Sequence, residues 1–302
     1  MISILCPCYN EELVLPLFFD RVVAVMESTK EDFEIVCVDD GSTDATLEVL
    51  KNRKTQDEHI KVISLSRNFG KDAALTAALD YASGDAVIPI DVDLQDPPEV
   101  IVQMIERWHD GYEVVLARRI DRLSDPWFKR LTAKLFYKCF NWISSFKIVE
   151  DVGDFRLIDR KVVEILRKCH ETNRFMKGLF SWVGFKTCIV DYVREARAKG
   201  VTKFGFWRMW SHAVEGITSF STLPLTLWFP LGVITLLIFV AHGIYSFVCG
   251  TTNSTLSLIL FFGGLQLIGV GILGTYVGKL YNESKRRPMY VVQEDDEVYN
   301  GQ

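Results

Sequence analysis

Residues 216–278 contain no Asp, Glu, Lys or Arg, in a chain of 302 residues of which 24% are charged. The ionic groups are therefore concentrated in the rest of the chain, which divides into a water-facing part and an apolar tail. Two strongly apolar runs fill the gap, roughly Leu223–Val248 and Leu256–Tyr276, separated by the polar spacer Gly250–Thr255. A bilayer core about 30 Å thick needs about 20 helical residues, so each run is long enough to cross once. Neither run keeps the polar face that a helix on a soluble core shows. The short spacer suits a turn between antiparallel helices.

Basic residues set the orientation. The spacer has none, whereas Lys279, Lys285, Arg286 and Arg287 follow the second run and Arg208 precedes the first. The positive-inside rule then places both termini in the cytoplasm. Residues 2–8 are apolar, but Glu11 and Glu12 follow and no basic region precedes, so a signal peptide is not expected. Upstream of the first run, Phe206, Trp207, Trp210, Val214, Ile217 and Phe220 recur near helical spacing beside Lys203 and Arg208. That pattern predicts an amphipathic helix over 204–222 lying in the headgroup layer. Gly274 and Gly278 form a G-x-x-x-G step that permits close helix approach, and with it a homo-oligomer. His242 and Gln266 are expected to hydrogen-bond between helices.

The first 200 residues alternate two periodicities. Ser3–Cys8, Glu34–Val38, Ile60–Leu65 and Ala86–Ile90 read as short buried strands. Leu13–Met26, Ala45–Lys51 and Ala73–Ala82 carry apolar residues at helical spacing. Such alternation predicts a mostly parallel α/β sheet with helices on both faces, whose ligands sit beyond the carboxyl ends of the strands. Polar clusters follow all four strands: Pro7-Cys8-Tyr9-Asn10-Glu11-Glu12, Asp39-Asp40-Gly41-Ser42-Thr43-Asp44, Arg67-Asn68-Phe69-Gly70-Lys71 and Asp91-Val92-Asp93-Leu94-Gln95-Asp96-Pro97-Pro98.

Several chemistries are excluded. A net charge of −5 argues against a protein built to grip nucleic acid. Neither G-x-G-x-x-G nor G-x-x-x-x-G-K-[ST] occurs, which removes the main support for dinucleotide oxidoreductases and P-loop ATPases. The seven cysteines form no C-x-x-C pair, and a reducing compartment fits them. The acidic loop from Asp91 has Asp96 where an EF-hand needs glycine. What remains is a D-x-D pair at a strand end. Two such carboxylates on an extended chain share one side, about 7 Å apart. They suit Mg²⁺ or Mn²⁺ that keeps open positions for substrate phosphates.

In this order the motifs resemble the family 2 glycosyltransferases with a GT-A-type, Rossmann-like fold. The resemblance rests on Pro7-x-Tyr9-Asn10-Glu11, Val38–Asp44, and Asp91 with Asp93. Arg67–Lys71, Gly153-Asp154-Phe155-Arg156-Leu157 and Gly216-Ile217-Thr218-Ser219-Phe220-Ser221 narrow it to the polyprenyl-phosphate hexosyltransferases. Those are relatives of dolichyl-phosphate mannose synthase, and the nearest likeness is to bacterial and prophage bactoprenol glucosyltransferases. It spans nearly the whole chain: a cytoplasmic GT-A domain over 1–203, the interfacial helix, a two-helix transmembrane hairpin over 223–281, and a cytoplasmic tail over 282–302.

The resemblance implies inverting transfer of a hexose, glucose from UDP-glucose, to undecaprenyl phosphate at the inner-membrane face of a bacterium, giving a lipid-linked sugar for O-antigen or envelope glycan modification. It implies that Pro7, Tyr9, Glu11 and Lys71 bind the nucleotide sugar, with Asp40 reading the uracil. Asp91, Asp93 and Gln95 would hold a divalent cation, Mg²⁺ or Mn²⁺, and the diphosphate. Asp154, with Asp93, is the catalytic candidate, and Glu150 and Asp151 lie close by. A phosphate monoester has a second pKa of about 6, so it needs alignment more than deprotonation. Asp154 is therefore expected to position the acceptor or stabilise charge on the sugar. Arg118, Arg130, Arg197 and Lys203, from two basic clusters, are the expected phosphate contacts. Arg156 is expected to pair with an acidic neighbour. A processive polysaccharide synthase would need Q-x-x-R-W, and Gln103–Trp108 has one residue too many and lies too early. A non-catalytic, membrane-anchored nucleotide-sugar-binding protein would have lost the metal pair or the acceptor basics, and this chain keeps both.

Overall fold

The structure, a computed structural model, describes residues 1–120, 149, 151–169, 171, 176–195, 223–226, 228–249 and 255–295. Four strands and four helices alternate first: β1 (Ile2–Cys8), α1 (Leu15–Thr29), β2 (Phe33–Asp39), α2 (Thr46–Lys54), β3 (Ile60–Leu65), α3 (Lys71–Tyr81), β4 (Ala86–Pro89) and α4 (Val100–His109). There follow β5 (Val114–Arg119), β6 (Val152–Asp159), α5 (Arg160–Lys168), α6 (Met176–Trp182) and β7 (Thr187–Tyr192). The tail holds α7 (Leu223–Thr226), α8 (Trp228–Cys249), α9 (Thr255–Ser284) and a last strand, β8 (Val292–Asp295).

All eight strands form one sheet, in the order β7-β5-β6-β4-β1-β2-β3-β8. Strands β1 to β4 are parallel, β5 and β7 run parallel to each other, and β6 and β8 pair antiparallel with their neighbours. The sheet is buried on both faces, which explains why its central strands read as near-continuous apolar runs. Alternate residues serve opposite cores. Ile2, Ile4, Cys6 and Cys8 of β1 meet α1 and α4 on one face. Leu5, with Val36 and Val38 of β2, meets α3, α5 and α6 on the other. The inner face of α3 combines small and larger side chains, Ala74, Leu75, Ala77, Ala78 and Leu79, all buried against β1 and β2, with Lys71 as the first residue of the helix.

The chain order reverses at β1, which lies between β2 and β4. The crevice at the carboxyl ends of β1 and β4 is thus the switch point where open α/β sheets bind ligands. The four predicted strands match the observed ones to within two residues at either end.

Two features were not expected. The residues after α9 return to the sheet as β8, which covers the edge of β3: Leu65 faces Val292, Ser64 faces Glu294, and the Ser66 amide donates to the Val291 carbonyl at 2.9 Å. Within the stretch 282–302, Val292–Asp295 therefore add a strand to the sheet. In the apolar region, Phe261–Ser284 of α9 is the one segment among the described residues that is long and apolar enough to cross a membrane, with mean hydropathy 1.5. The apolar part of α8, Pro230–Tyr245, is shorter. Trp228 of α8 lies against α9, where a Cβ on Gly269 would sit 3.1 Å from its ring. Otherwise the apolar side chains point outward, Leu236 and Leu267 being 62% and 73% exposed. Such exposure is far beyond what a monomeric soluble surface carries. Gly274 and Gly278 also face open space. The 204–222 segment lies outside the described residues.

Candidate active site

The first two strand ends are stitched into one platform. Asn10, in the left-handed region at φ 56°, turns the chain after β1. Its amide donates to Ser42 Oγ at 3.0 Å, and its Oδ1 accepts the Thr43 amide at 2.8 Å. The Glu11 amide donates to Thr46 Oγ1 at 2.8 Å, and Glu12 accepts the Ala45 amide at 2.9 Å. Ser42, Thr43 and Asp44 are thus turn and helix-start residues. Tyr9 stands 41% exposed beside them and offers a free ring face. Pro7 lies in β1, and Glu11 is half-buried at its exit.

Asp40 is buried and turned inward. Its two oxygens accept the amides of Phe69 and Gly70 at 2.7 and 2.9 Å. Burial raises its pKa, against the pull of those two amides. The carboxylate expected to read a base therefore also holds the entry to α3. Gly41 makes this junction possible: at φ 65°, an added Cβ would lie 2.4 Å from the Arg67 carbonyl carbon.

The D-x-D pair sits just past its strand. β4 ends at Pro89, and Val92 and Asp93 form a turn, so the side-by-side geometry of an extended strand does not apply. Leu94, buried and at φ 57°, bends the chain further. A branched side chain held in that region signals local strain of the kind found at functional sites. Asp91 is partly exposed and Asp93 is buried, with Asp93 Oδ1 accepting the Gln95 amide at 3.1 Å. The Gln95 carbonyl in turn accepts the Glu195 amide, which ties this turn to the chain after β7.

Lys71 connects the two expected halves of the site. Its Nζ lies 2.6 and 2.9 Å from the two Asp91 oxygens and 2.8 Å from Asp154 Oδ2. Burial pulls the ammonium pKa down, but the Asp91 and Asp154 carboxylates outweigh it and hold it above the ordinary lysine value. Asp154 lies on β6, beside Arg156. That guanidinium is buried, stacks 4.2 Å over the Phe180 ring and donates to the Gly153 carbonyl. Its Nε has no hydrogen-bond partner among the described residues, and burial pushes its pKa down to about 10 against the attraction of Asp154. The expected ion pair of Arg156 is thus replaced by a backbone carbonyl and an aromatic face.

On β5 the structure separates two adjacent arginines. Arg118 points outward and forms a bidentate pair with Asp191 at 2.7 and 2.9 Å. Arg119 points the other way, its Nε donating to Tyr192 Oη at 3.1 Å and its Nη2 lying 3.6 Å from buried Asp96. Tyr192 donates to Asp96, and Arg194 Nε lies 3.9 Å from the same carboxylate. Burial raises the Asp96 pKa, against the attraction of Arg119. Successive strand residues point to opposite faces, so Arg119 reaches Asp96, in the loop that carries the D-x-D pair, while Arg118 is taken up by Asp191. Charge counting selected Arg118 and passed over Arg119, Asp96 and Tyr192. β5 is buried on both faces up to Ala117, so alternation alone could not separate the two arginines. Arg130, Arg197, Lys203 and Glu150 lie outside the described residues. Gln103–Trp108 lies within α4, with Met104 and Ile105 in the core and Trp108 bonded to Asp159, which is a packing role.

Asp91, Asp93 and Gln95 offer hard oxygen donors suited to Mg²⁺ or Mn²⁺. The Lys71 ammonium on both Asp91 oxygens shows that this place accommodates a cation. Among the described residues no group of three or more His, Cys, Asp or Glu side chains stands within reach of one ion.

Residues 3–166 match the family model described as glycosyl transferase family 2. Bactoprenol glucosyl transferase of Shigella phage SfV is 48% identical over 97% of this chain and 98% of its own length. The prophage bactoprenol glucosyl transferase homolog of Escherichia coli is 47% identical over 97% and 98%. An uncharacterized glycosyltransferase of Synechocystis is 45% identical over 97% and 95%. Among solved structures, mannosyl-3-phosphoglycerate synthase of Rubrobacter xylanophilus shares the fold, with a TM-score of 0.50 and 19% identity over 71% of each chain. The switch-point site, the family model and these near full-length likenesses lead to one conclusion: the chain is a glycosyltransferase and belongs to glycosyl transferase family 2.

Proposed function

We propose that the chain transfers glucose from UDP-glucose to undecaprenyl phosphate, with inversion at the anomeric carbon, and so makes a lipid-linked sugar for O-antigen or envelope glycan modification. The observation that carries this reading is the Lys71 bridge, which brings the D-x-D residue Asp91 and the Gly153–Leu157 residue Asp154 to one ammonium at the switch point. The names of the Shigella phage and E. coli relatives support the acceptor and the sugar.

In this reading Tyr9 supplies a stacking face for the base, and Pro7, Glu11 and Asp40 shape the nucleoside pocket. A divalent cation held by Asp91, Asp93 and Gln95 would neutralise the departing diphosphate. Lys71 adds positive charge at the same place. Asp154 aligns the acceptor phosphate, which at neutral pH is already mostly dianionic with a second pKa of about 6. Its role is thus orientation and charge control more than proton removal. Arg119, beside Asp96 at the end of β5, supplies a guanidinium fork, with Arg130, Arg197 and Lys203 as further acceptor contacts.

The tail then anchors the enzyme where its acceptor resides. The sheet supports two crossings by parity. β7 and β8 belong to one sheet, so the chain between them returns to the side it left. If α9 crosses, a second crossing is required, and α8, 22 residues and about 33 Å long, can supply it. By the positive-inside rule, Lys279, Lys285, Arg286 and Arg287 support a shared side in the cytoplasm of an inner-membrane protein.

The test is transfer from radiolabelled UDP-hexoses in vesicles containing the full chain, with Mg²⁺ or Mn²⁺. The expected result is a labelled polyprenyl-phosphate sugar from UDP-glucose, with UDP released only when undecaprenyl phosphate is present. Label in a long polymer, or no release of UDP with any acceptor, would overturn the reading.

A further inference from the structure

Lys71 covers both oxygens of Asp91 at 2.6 and 2.9 Å and reaches Asp154 at 2.8 Å with the same ammonium. A divalent ion that ligates either Asp91 oxygen from the pocket side therefore meets a positive charge within a few ångströms. Two cations cannot share that face of a carboxylate without strong repulsion. The lysine side chain has room to move once its partners are contested. Its side chain is 43% exposed, and it stands at the first position of α3 behind Gly70, whose surroundings are open, with nothing within 4 Å of an added Cβ. Asp154, 17% exposed, keeps a second positive neighbour in buried Arg156 when the ammonium leaves.

We propose that Lys71 is an exchangeable internal counter-cation: it competes with the divalent ion for Asp91, and its displacement unmasks Asp154 for the acceptor. This rests on reading Asp91 and Asp93 as the cation-binding pair. The ammonium, once displaced, is carried toward the diphosphate that arrives with the ion. Loading of the donor thereby precedes exposure of the acceptor-aligning carboxylate, and the two substrates bind in order. Lys71 acts as a positioning residue that links the donor half of the site to the acceptor half.

The experiment is Mn²⁺ binding to the detergent-solubilised full chain without nucleotide, read from the electron paramagnetic resonance signal of free Mn²⁺. Lys71→Met is expected to bind Mn²⁺ roughly fivefold more tightly or better, because its competitor is gone. Lys71→Arg, which keeps the charge, is expected to match the parent. An unchanged or weaker affinity in Lys71→Met overturns the exchange and leaves Lys71 a plain phosphate ligand. A second measurement needs no substitution: reductive methylation of Lys71, followed by mass spectrometry, is expected to speed up roughly threefold or more when Mn²⁺ is added. An unchanged rate overturns the proposal. Asp91→Asn separates the two failures, since normal Mn²⁺ affinity in that variant would refute the cation-pair reading itself.

Discussion

Asp40 holds Phe69 across 29 residues of sequence, its Oδ1 accepting the Phe69 amide proton at 2.7 Å. Through this bond and its partner at Gly70, the turn after β2 fixes the start of α3 and hence the place of Lys71. Replacing Asp40 with Asn turns one acceptor into a donor facing a buried amide. The expected cost is about 1–3 kcal/mol of stability, since Asp40 is buried. Thermal melts should show a lower midpoint, and calorimetry should show weaker UDP binding. A residue that only read the base would lose UDP affinity with an unchanged melt.

Arg118 and Arg119 should separate cleanly. Arg118→Ala breaks an exposed pair with Asp191 and is expected to leave transfer within about twofold of the parent. Arg119→Ala removes the inward guanidinium beside Asp96 and is expected to cut transfer roughly tenfold or more. Initial rates of lipid-linked sugar formation decide the matter, and the reverse ranking would refute the assignment.

Asp154→Asn keeps the shape of the side chain and removes its charge. Turnover is expected to fall roughly 100-fold or more while UDP affinity stays within about twofold. Parallel rate and binding measurements check both halves of the prediction.

Glu34 controls an acid-side loss of stability away from the site. Burial raises its pKa, but the Ser3 hydroxyl, the Ser83 amide and Lys61 outweigh burial and hold it below the ordinary glutamate value. Its contribution is therefore complete above the unfolded value of about 4.3 and is lost as pH falls through the depressed folded value. Glu34→Gln should lower the melting midpoint at pH 7, with the gap to the parent closing below about pH 4. A gap independent of pH would show that charge plays no part.

Removing residues 290–302 strips β8 from β3. The Ser66 amide then loses the Val291 carbonyl, and the Tyr290 hydroxyl no longer donates to Asp80 at 2.8 Å. Hydrogen exchange is expected to show lost protection over 63–71, together with a lower melting midpoint and weaker UDP binding. Unchanged protection at Ser66 would mean that the edge strand is dispensable.

The sequence by itself determined the alternation of strands and helices, because period-two and period-3.6 patterns are local and both faces of the sheet are buried. It also showed four polar clusters that follow four apolar runs, and a stretch, 216–278, that lacks charge. Contacts distant in sequence were decided only by the tertiary structure. Lys71 meets Asp154 across 83 residues, and β8 meets β3 after two apolar helices. No local pattern encodes such meetings. The different partners of Arg118 and Arg119, and the turn that lifts the D-x-D pair off its strand, likewise came from how the ends of β5 and β4 are packed, because partners depend on register and on where pairing stops.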